Sequence, residues 1–248
     1  MYPRELFDKV EAEKSLPPGD EERFNGMGVM GLPFESGHVL ALRHFVASSV
    51  GKGYTSVWHR NPAKEWSFYA DHDPRLTCTR YFGKEAKHTY IEPVVIEWLD
   101  DFSFQVSIRR VDLTWFVRAS STPATILLNG IGSLLPDSAW KNGFILGLMG
   151  KVASATLGVA KIGLTGIVPN GQHFTANPKT IWTIKESHAS MNGIDFGKPA
   201  PLKEQAGLAD FWIPQKGILA FGQAYFDPYN PQKHSADTTK SSSQSSAA

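Results

Sequence analysis

The sequence predicts a mainly β protein: an antiparallel barrel or a two-sheet sandwich with one helical insertion at about 122–158. About ten or eleven short segments carry strand periodicity and are parted by turn-forming residues. No strand–helix–strand alternation of the parallel-sheet kind occurs. Aromatic residues make up 12% of the 248-residue chain, and its seven tryptophans fall mostly within the strand segments. Large rings on a sheet face either fill the interior of a barrel or grip an apolar ligand.

In chain order, residues 1–20 form an N-terminal helical arm, ELFDKVEAEKSL, ended by Pro17 and Pro18. Residues 26–31 then read GMGVMG and match the dinucleotide fingerprint G-x-G-x-x-G. That fingerprint needs a buried strand before it and a helix after it, so that amide groups face a pyrophosphate. Here PPGDEERFN precedes, Pro33 and Gly37 follow, and no acidic residue lies from Ala47 to Pro62, where a ribose partner would be. The stretch reads as an apolar entry loop, with Met27, Val29, Met30, Leu32 and Phe34 over a core edge. No cofactor is expected.

Strand candidates follow at 38–48, 54–60, 65–71, 76–83, 90–99, 102–110 and 113–120. The linkers GKG, NPAK, DHDPR, GKEAK and DD between them are rich in turn formers. In FSFQVSI, Phe102, Phe104, Val106 and Ile108 share one face and the serines and Gln105 the other, as in a half-buried antiparallel meander. Residues 122–158 break the pattern with an apolar run, read as a helix or helix pair that restarts at Pro136 and Asp137, with Asp137 or Ser138 as N-cap. The run is short for a membrane span and carries Lys151 near its middle. Strand signals return at 161–168, as two strands in HFTANPKTIWTIKESHASMNGIDFG, and as a last pair in 211–226. Residues 21–230 are read as one domain in which these late strands complete the early sheet. Residues 231–248, which end in SSSQSSAA, are expected to be a disordered tail.

A net charge of +1 with scattered basic residues argues against a dedicated nucleic-acid binder. A lone cysteine, Cys78, permits no intrachain disulfide, and the N-terminus has no apolar signal run, so a cytoplasmic protein is expected.

EWSFYADHDP, PVVIEWLDDFSFQVS, GIVPNGQHFTANPKTIW and ADFWIPQKGILAFGQAYF together resemble the lipocalin-like β-barrels of the AttH and hydroxyneurosporene synthase (carotenoid hydratase) type. The resemblance covers about a third of the chain and rests on aromatics and turns. It implies a barrel with an apolar cavity and, in some members, chemistry on isoprenoid-like substrates. Proteins of that type are longer, no G-x-W opens the first strand here, and no catalytic residue carries over.

Strand alternation in LTCTRYF places Arg80 on a face with Leu76, Cys78 and Phe82, where a buried guanidinium would need an anionic or carbonyl group on a ligand. Trp66, Phe68, Trp98 and Trp115 are the candidate contacts for the apolar body of that ligand. Glu97, whose carboxyl would rise in pKa if held near the interior, is the candidate acid, with His59 and Asp71 as further acid–base candidates. Asp71, His72 and Asp73 lack the spacing of a metal site, and DHDP reads as a turn, so no metal is expected. The leading expectation is a soluble barrel that binds a hydrophobic small molecule, isoprenoid or polyketide-like, and isomerises, hydrates or cyclises it. A non-catalytic lipid carrier, or an assembly module docking a partner through the apolar helix, are the alternatives. The same helix suits a transient contact with a membrane surface. Oligomeric state is not legible.

Overall fold

The computed structural model describes residues 1–134, 140 and 142–234. Helix α1 (Pro3–Glu13) starts with proline in its first turn and lays Leu6, Phe7 and Val10 against the core. Strands β1 (Glu22–Val29), β2 (Leu32–Pro33), β3 (Val39–Ser48), β4 (Lys52–Arg60) and β5 (Trp66–Ala70) follow. The next are a short helix α2 (Thr79–Phe82), then β6 (Ala86–Ile91), β7 (Val95–Trp98), β8 (Ser103–Ile108) and β9 (Leu113–Ser120). Two helices, α3 (Pro123–Leu134) and α4 (Gly143–Leu157), separate these from β10 (Thr165–Ile167), β11 (His173–Met191), β12 (Ile194–Asp195), β13 (Gly207–Leu208), β14 (Phe211–Trp212) and β15 (Ile218–Phe226).

Among the described residues, thirteen strands form one sheet, whose main order is β6-β5-β4-β3-β1-β15-β11-β9-β8-β7. The protein is mainly β, as its sequence predicts, and the late strands sit in the middle of that order, between β1 and β9. The two end strands, β6 and β7, are joined in sequence through residues 92–94, and Val94 lies in the inner core. Arg110, just after β8, pairs with Glu92 at 2.9 Å and covers the ring of Tyr90 on β6. The sheet therefore rolls up around a filled interior, where Trp115, Phe104, Leu40 and Leu42 are fully buried. The opposite face of β1, β3, β4 and β5 is covered as well, with Phe24, Tyr54, Trp58, Trp66 and Phe68 packed against α2 and the segment around Leu208. Burial on both faces explains why β3 reads VLALRHFVAS, without the clean alternation of a half-buried strand.

Several expected elements take another form. Residues 26–29 belong to strand β1 and not to an entry loop. The strand expected over 76–83 is replaced by a turn of 3₁₀ helix at Pro74–Leu76, α2 and a second such turn at Gly83–Glu85. The cause lies in the topology: β5 and β6 are parallel, so the chain must travel back along the sheet between them. Asp73 starts the return by accepting hydrogen bonds from the Arg75 amide and guanidinium. The segment 90–99 is two strands, broken around Pro93, which has no amide to give a ladder. The strand at 161–168 shrinks to Thr165–Ile167, and 173–191 is one long strand, with irregular register at Pro178/Thr180 and Ile184/Glu186. The last pair reduces to the two residues of β14 and the full strand β15.

The insertion is helical, as expected, and of the two forms the sequence allows it takes the helix pair. Thr122 and Thr125 exchange hydrogen bonds across the start of α3, with Pro123 at its first position. Asn142 caps α4 by accepting from the amides of Phe144 and Ile145, and Gly158 ends it at φ 61°. Pro136, Asp137 and Ser138, the expected restart, lie outside the described residues, as does the tail from 235.

Candidate functional site

A cavity of about 450 Å³ lies between the helix pair and the sheet face turned away from the inner core. Its floor is the line where β1, β15 and β11 meet. Gly26 pairs with Gly222, and Gly222 with Pro178. Register shifts at Asn25/Gly26 and Pro178/Thr180 bend the sheet along that line. A Cβ at Gly26 would fall 2.0 Å from the His44 carbonyl oxygen, and one at Gly222 2.0 Å from that of Asn177. Glycine is thus what lets the strands approach at the bend. The glycines of GMGVMG serve strand packing rather than a pyrophosphate. Leu128 and Ile131 of α3, with Ile145, Leu148, Met149 and Val152 of α4, form the roof, and Trp140, Phe211 and Trp212 stand at the sides.

Against this apolar lining stands one ionised side chain among the described residues, Arg43 on β3. It is 5% exposed. Its Nη1 donates to the carbonyls of Val29 (2.8 Å) and Leu42 (2.7 Å), and the guanidinium lies 4.7 Å from the Trp58 ring centre and 5.3 Å from that of Phe211. No carboxylate pairs with it among the described residues. Burial pulls its pKa down to about 10, partly offset by Cys78 and Tyr54, so it stays cationic at neutral pH. The neighbours on its far side are neutral there. Tyr54 Oη and Cys78 Sγ are 2.8 Å apart, and burial pushes both groups up.

Two residues of the lining also hold a buried polar atom without a partner among the described residues, Asn177 Oδ1 and Trp212 Nε1. Asn177 uses its amide on Gln223 Oε1, at 3.3 Å. Buried polar atoms left unpaired cost about 1–3 kcal/mol each. Among the described residues, Arg43 is thus the one charge bordering an otherwise apolar space.

None of the catalytic or ligand-contact candidates named from the sequence lines this cavity. Arg80 sits on α2 and not on a strand. Its Nη2 and Nε donate to Glu22 at 2.6 and 3.1 Å, so its counter-charge is internal. Burial raises the Glu22 carboxyl, but hydrogen bonds from Arg80, Tyr81 and Gln172 outweigh it and hold the group below its ordinary value. Trp66 and Phe68 belong to the outer core; Trp98 and Trp115 to the inner one, where Trp115 donates to Ser187 Oγ at 3.0 Å. Glu97 is exposed on β7, opposite Gln105. His59 pairs with His38 at 2.7 Å, Nε2 to Nδ1, and both rings stack on Phe196. Burial, then the neighbouring His38, pulls His59 down to about 4. Asp71, at the other end of β4, accepts from the Thr55 amide and lies 2.8 Å from His72 Nδ1. The structure brings together neither the acid–base trio nor the aromatic set. The signal that reveals Arg43 is the alternation of β3, where Val39, Ala41, Arg43 and Phe45 share a face.

Glu11, His44 and Thr55 form a separate chain, 2.6 Å from Glu11 Oε1 to His44 Nε2 and 2.9 Å from His44 Nδ1 to Thr55 Oγ1. It ties α1 to the sheet. No group of metal-ligating side chains occurs among the described residues.

No family model matches the chain, and no curated protein matches it. Among solved structures it is similar to the crystal structure of acetoacetate decarboxylase from Legionella pneumophila subsp. pneumophila str. Philadelphia 1, with 12% identity over 90% of each chain and a TM-score of 0.40.

Proposed function

We propose that the chain binds an apolar small molecule with an anionic end, its body in the cavity beneath α3 and α4 and its acid group at Arg43. The observation that carries this reading is Arg43 itself: a buried cation that, among the described residues, has no carboxylate partner and borders an apolar space. The resemblance of the strand and turn patterns to the AttH and carotenoid hydratase type supports an isoprenoid-like body. The cavity volume falls in the range of about 300–1,000 Å³ usual for small-molecule sites.

Binding is favoured over turnover because the described lining has no carboxylate, imidazole or amine to move a proton. Among the described residues, hydration, isomerisation or cyclisation, as the sequence suggests, would rest on shape and the Arg43 charge. The test is a titration followed by tryptophan fluorescence, since Trp140 and Trp212 border the space. Saturable quenching or blue shift is expected with long-chain fatty acids, retinoic acid or terpenoid acids, and a weaker response with the matching alcohols. Equal affinity for acids and alcohols would remove Arg43 from the reading, and no response to any of them would remove the ligand.

A further inference from the structure

The helix pair leaves an apolar stripe with no described part of the chain over it. Leu127, Ile131 and Leu134 on α3 are exposed, as are Phe144, Leu148 and Val152 on α4; Leu134 and Phe144 reach 85% and 83%. Their spacing of three or four residues puts each set on one side of its helix. Ile131, Leu148 and Val152 also line the cavity, so the stripe is the rim of the binding site. A contiguous apolar rim of this kind marks a contact surface.

Charge decides which contact. Between Asp112 and Glu186 the sequence holds a single acidic residue, Asp137, against lysines at 141, 151, 161, 179 and 185, while Arg118 in the same stretch is paired with Asp100 at 3.7 Å. Lys151 is exposed on α4 itself, and Lys161, beyond its end, holds its ammonium 4.2 Å over the Trp212 ring at the cavity wall. No helix among the described residues is long and apolar enough to cross a membrane. Short helices with an apolar stripe and basic surroundings lie in the plane of a bilayer surface, and anionic headgroups attract their lysines.

We propose that the α3–α4 face docks on an anionic lipid surface, so that the apolar acid passes between bilayer and cavity under the helix pair without crossing bulk water. The cargo in this proposal rests on the cavity reading above; the docking does not.

The test is flotation of the full chain, without added ligand, on vesicles of phosphatidylcholine alone and of phosphatidylcholine with phosphatidylglycerol. Binding is expected on the second kind, weakened by high salt. The double substitution Leu134→Glu with Phe144→Glu touches no cavity-lining residue and is expected to lower vesicle binding by about tenfold or more while leaving near-ultraviolet dichroism and ligand titration in solution unchanged. Should that variant misfold, Lys151→Glu serves instead and is expected to weaken binding several-fold on the anionic vesicles. Failure of the native chain to float with anionic vesicles, or undiminished binding by the variants, overturns the proposal. A dimer that the double substitution dissociates, with no vesicle binding, overturns it in favour of a second copy on this face. Vesicle binding without any ligand response in solution would leave the docking standing and remove the cavity reading.

Discussion

The Arg43 guanidinium lies 4.7 Å from the centre of the Trp58 ring, on the same face of the sheet as the cavity floor. A desolvated cation over an indole gains about 2 kcal/mol or more, which helps to hold the charge where no carboxylate does. The arrangement holds the guanidinium in place without neutralising it.

Arg43→Met keeps the stem and removes the charge. It is expected to weaken acidic ligands by about 1.5–3 kcal/mol and spare their alcohols. It also strips the Val29 and Leu42 carbonyls of a donor, so a loss of about 1–3 kcal/mol in urea unfolding should accompany it. Arg43→Lys retains a cation and should keep part of the acid preference, which separates recognition from stability.

Ala153 lines the cavity from α4. Ala153→Phe should fill it, raising stability by up to about 1 kcal/mol, as cavity-filling changes do. Ligand affinity should drop by about tenfold or more, equivalent to 1.4 kcal/mol upwards. A Phe variant that binds as well as the native chain would place the ligand elsewhere.

Gly222→Ala tests the bend in the floor. Its Cβ would meet the Asn177 carbonyl at 2.0 Å, a backbone contact that cannot swing aside. A cost of about 1–3 kcal/mol is expected in denaturant unfolding. By contrast, Gly147→Ala on α4, where a Cβ meets nothing within 4 Å, should be neutral or stabilising by about 0.5–1 kcal/mol.

The His38–His59 pair makes stability depend on pH. Both imidazoles titrate lower in the folded chain than in the unfolded one, His59 at about 4. The unfolded state therefore binds more protons in acid. The stabilisation is complete above about pH 6.5 and is lost progressively as pH falls toward 4, on the order of 3 kcal/mol for His59. Urea midpoints measured from pH 7 to 4 should show this slope, and His59→Gln should flatten it.

Much of the architecture was legible because one face of each strand in the β7–β9 meander meets solvent. The alternation of Phe104, Val106 and Ile108, and of Leu113, Trp115 and Val117, comes through directly as burial. The pairings of Trp66 with Phe68, and of Tyr54 with Trp58, on the outer core were equally readable from period two. Arg80 was misplaced because LTCTRYF has strand composition but must serve a parallel crossover, a demand set by pairing far along the chain. The cavity escaped because its floor consists of glycines and Pro178, which carry no periodic signal, and because β3 is buried on both faces. Aromatic content pointed to an apolar site, yet Trp66, Phe68, Trp98 and Trp115 fill cores instead. Rings mark burial, and burial alone does not distinguish packing from recognition.

The place of β15 has a consequence for how the chain comes off the ribosome. Among the described residues, the last strand, β15, inserts between β1 and β11. Until residues 173–226 have emerged, β1 and β9 each present an open edge to whatever is nearby, and the roll cannot be completed by any earlier segment. Such late insertion of non-local strands slows folding and leaves sticky edges exposed meanwhile. A chain stopped short of Ile218 should accumulate in aggregates or with chaperones, because β15 would be missing from the middle of the sheet.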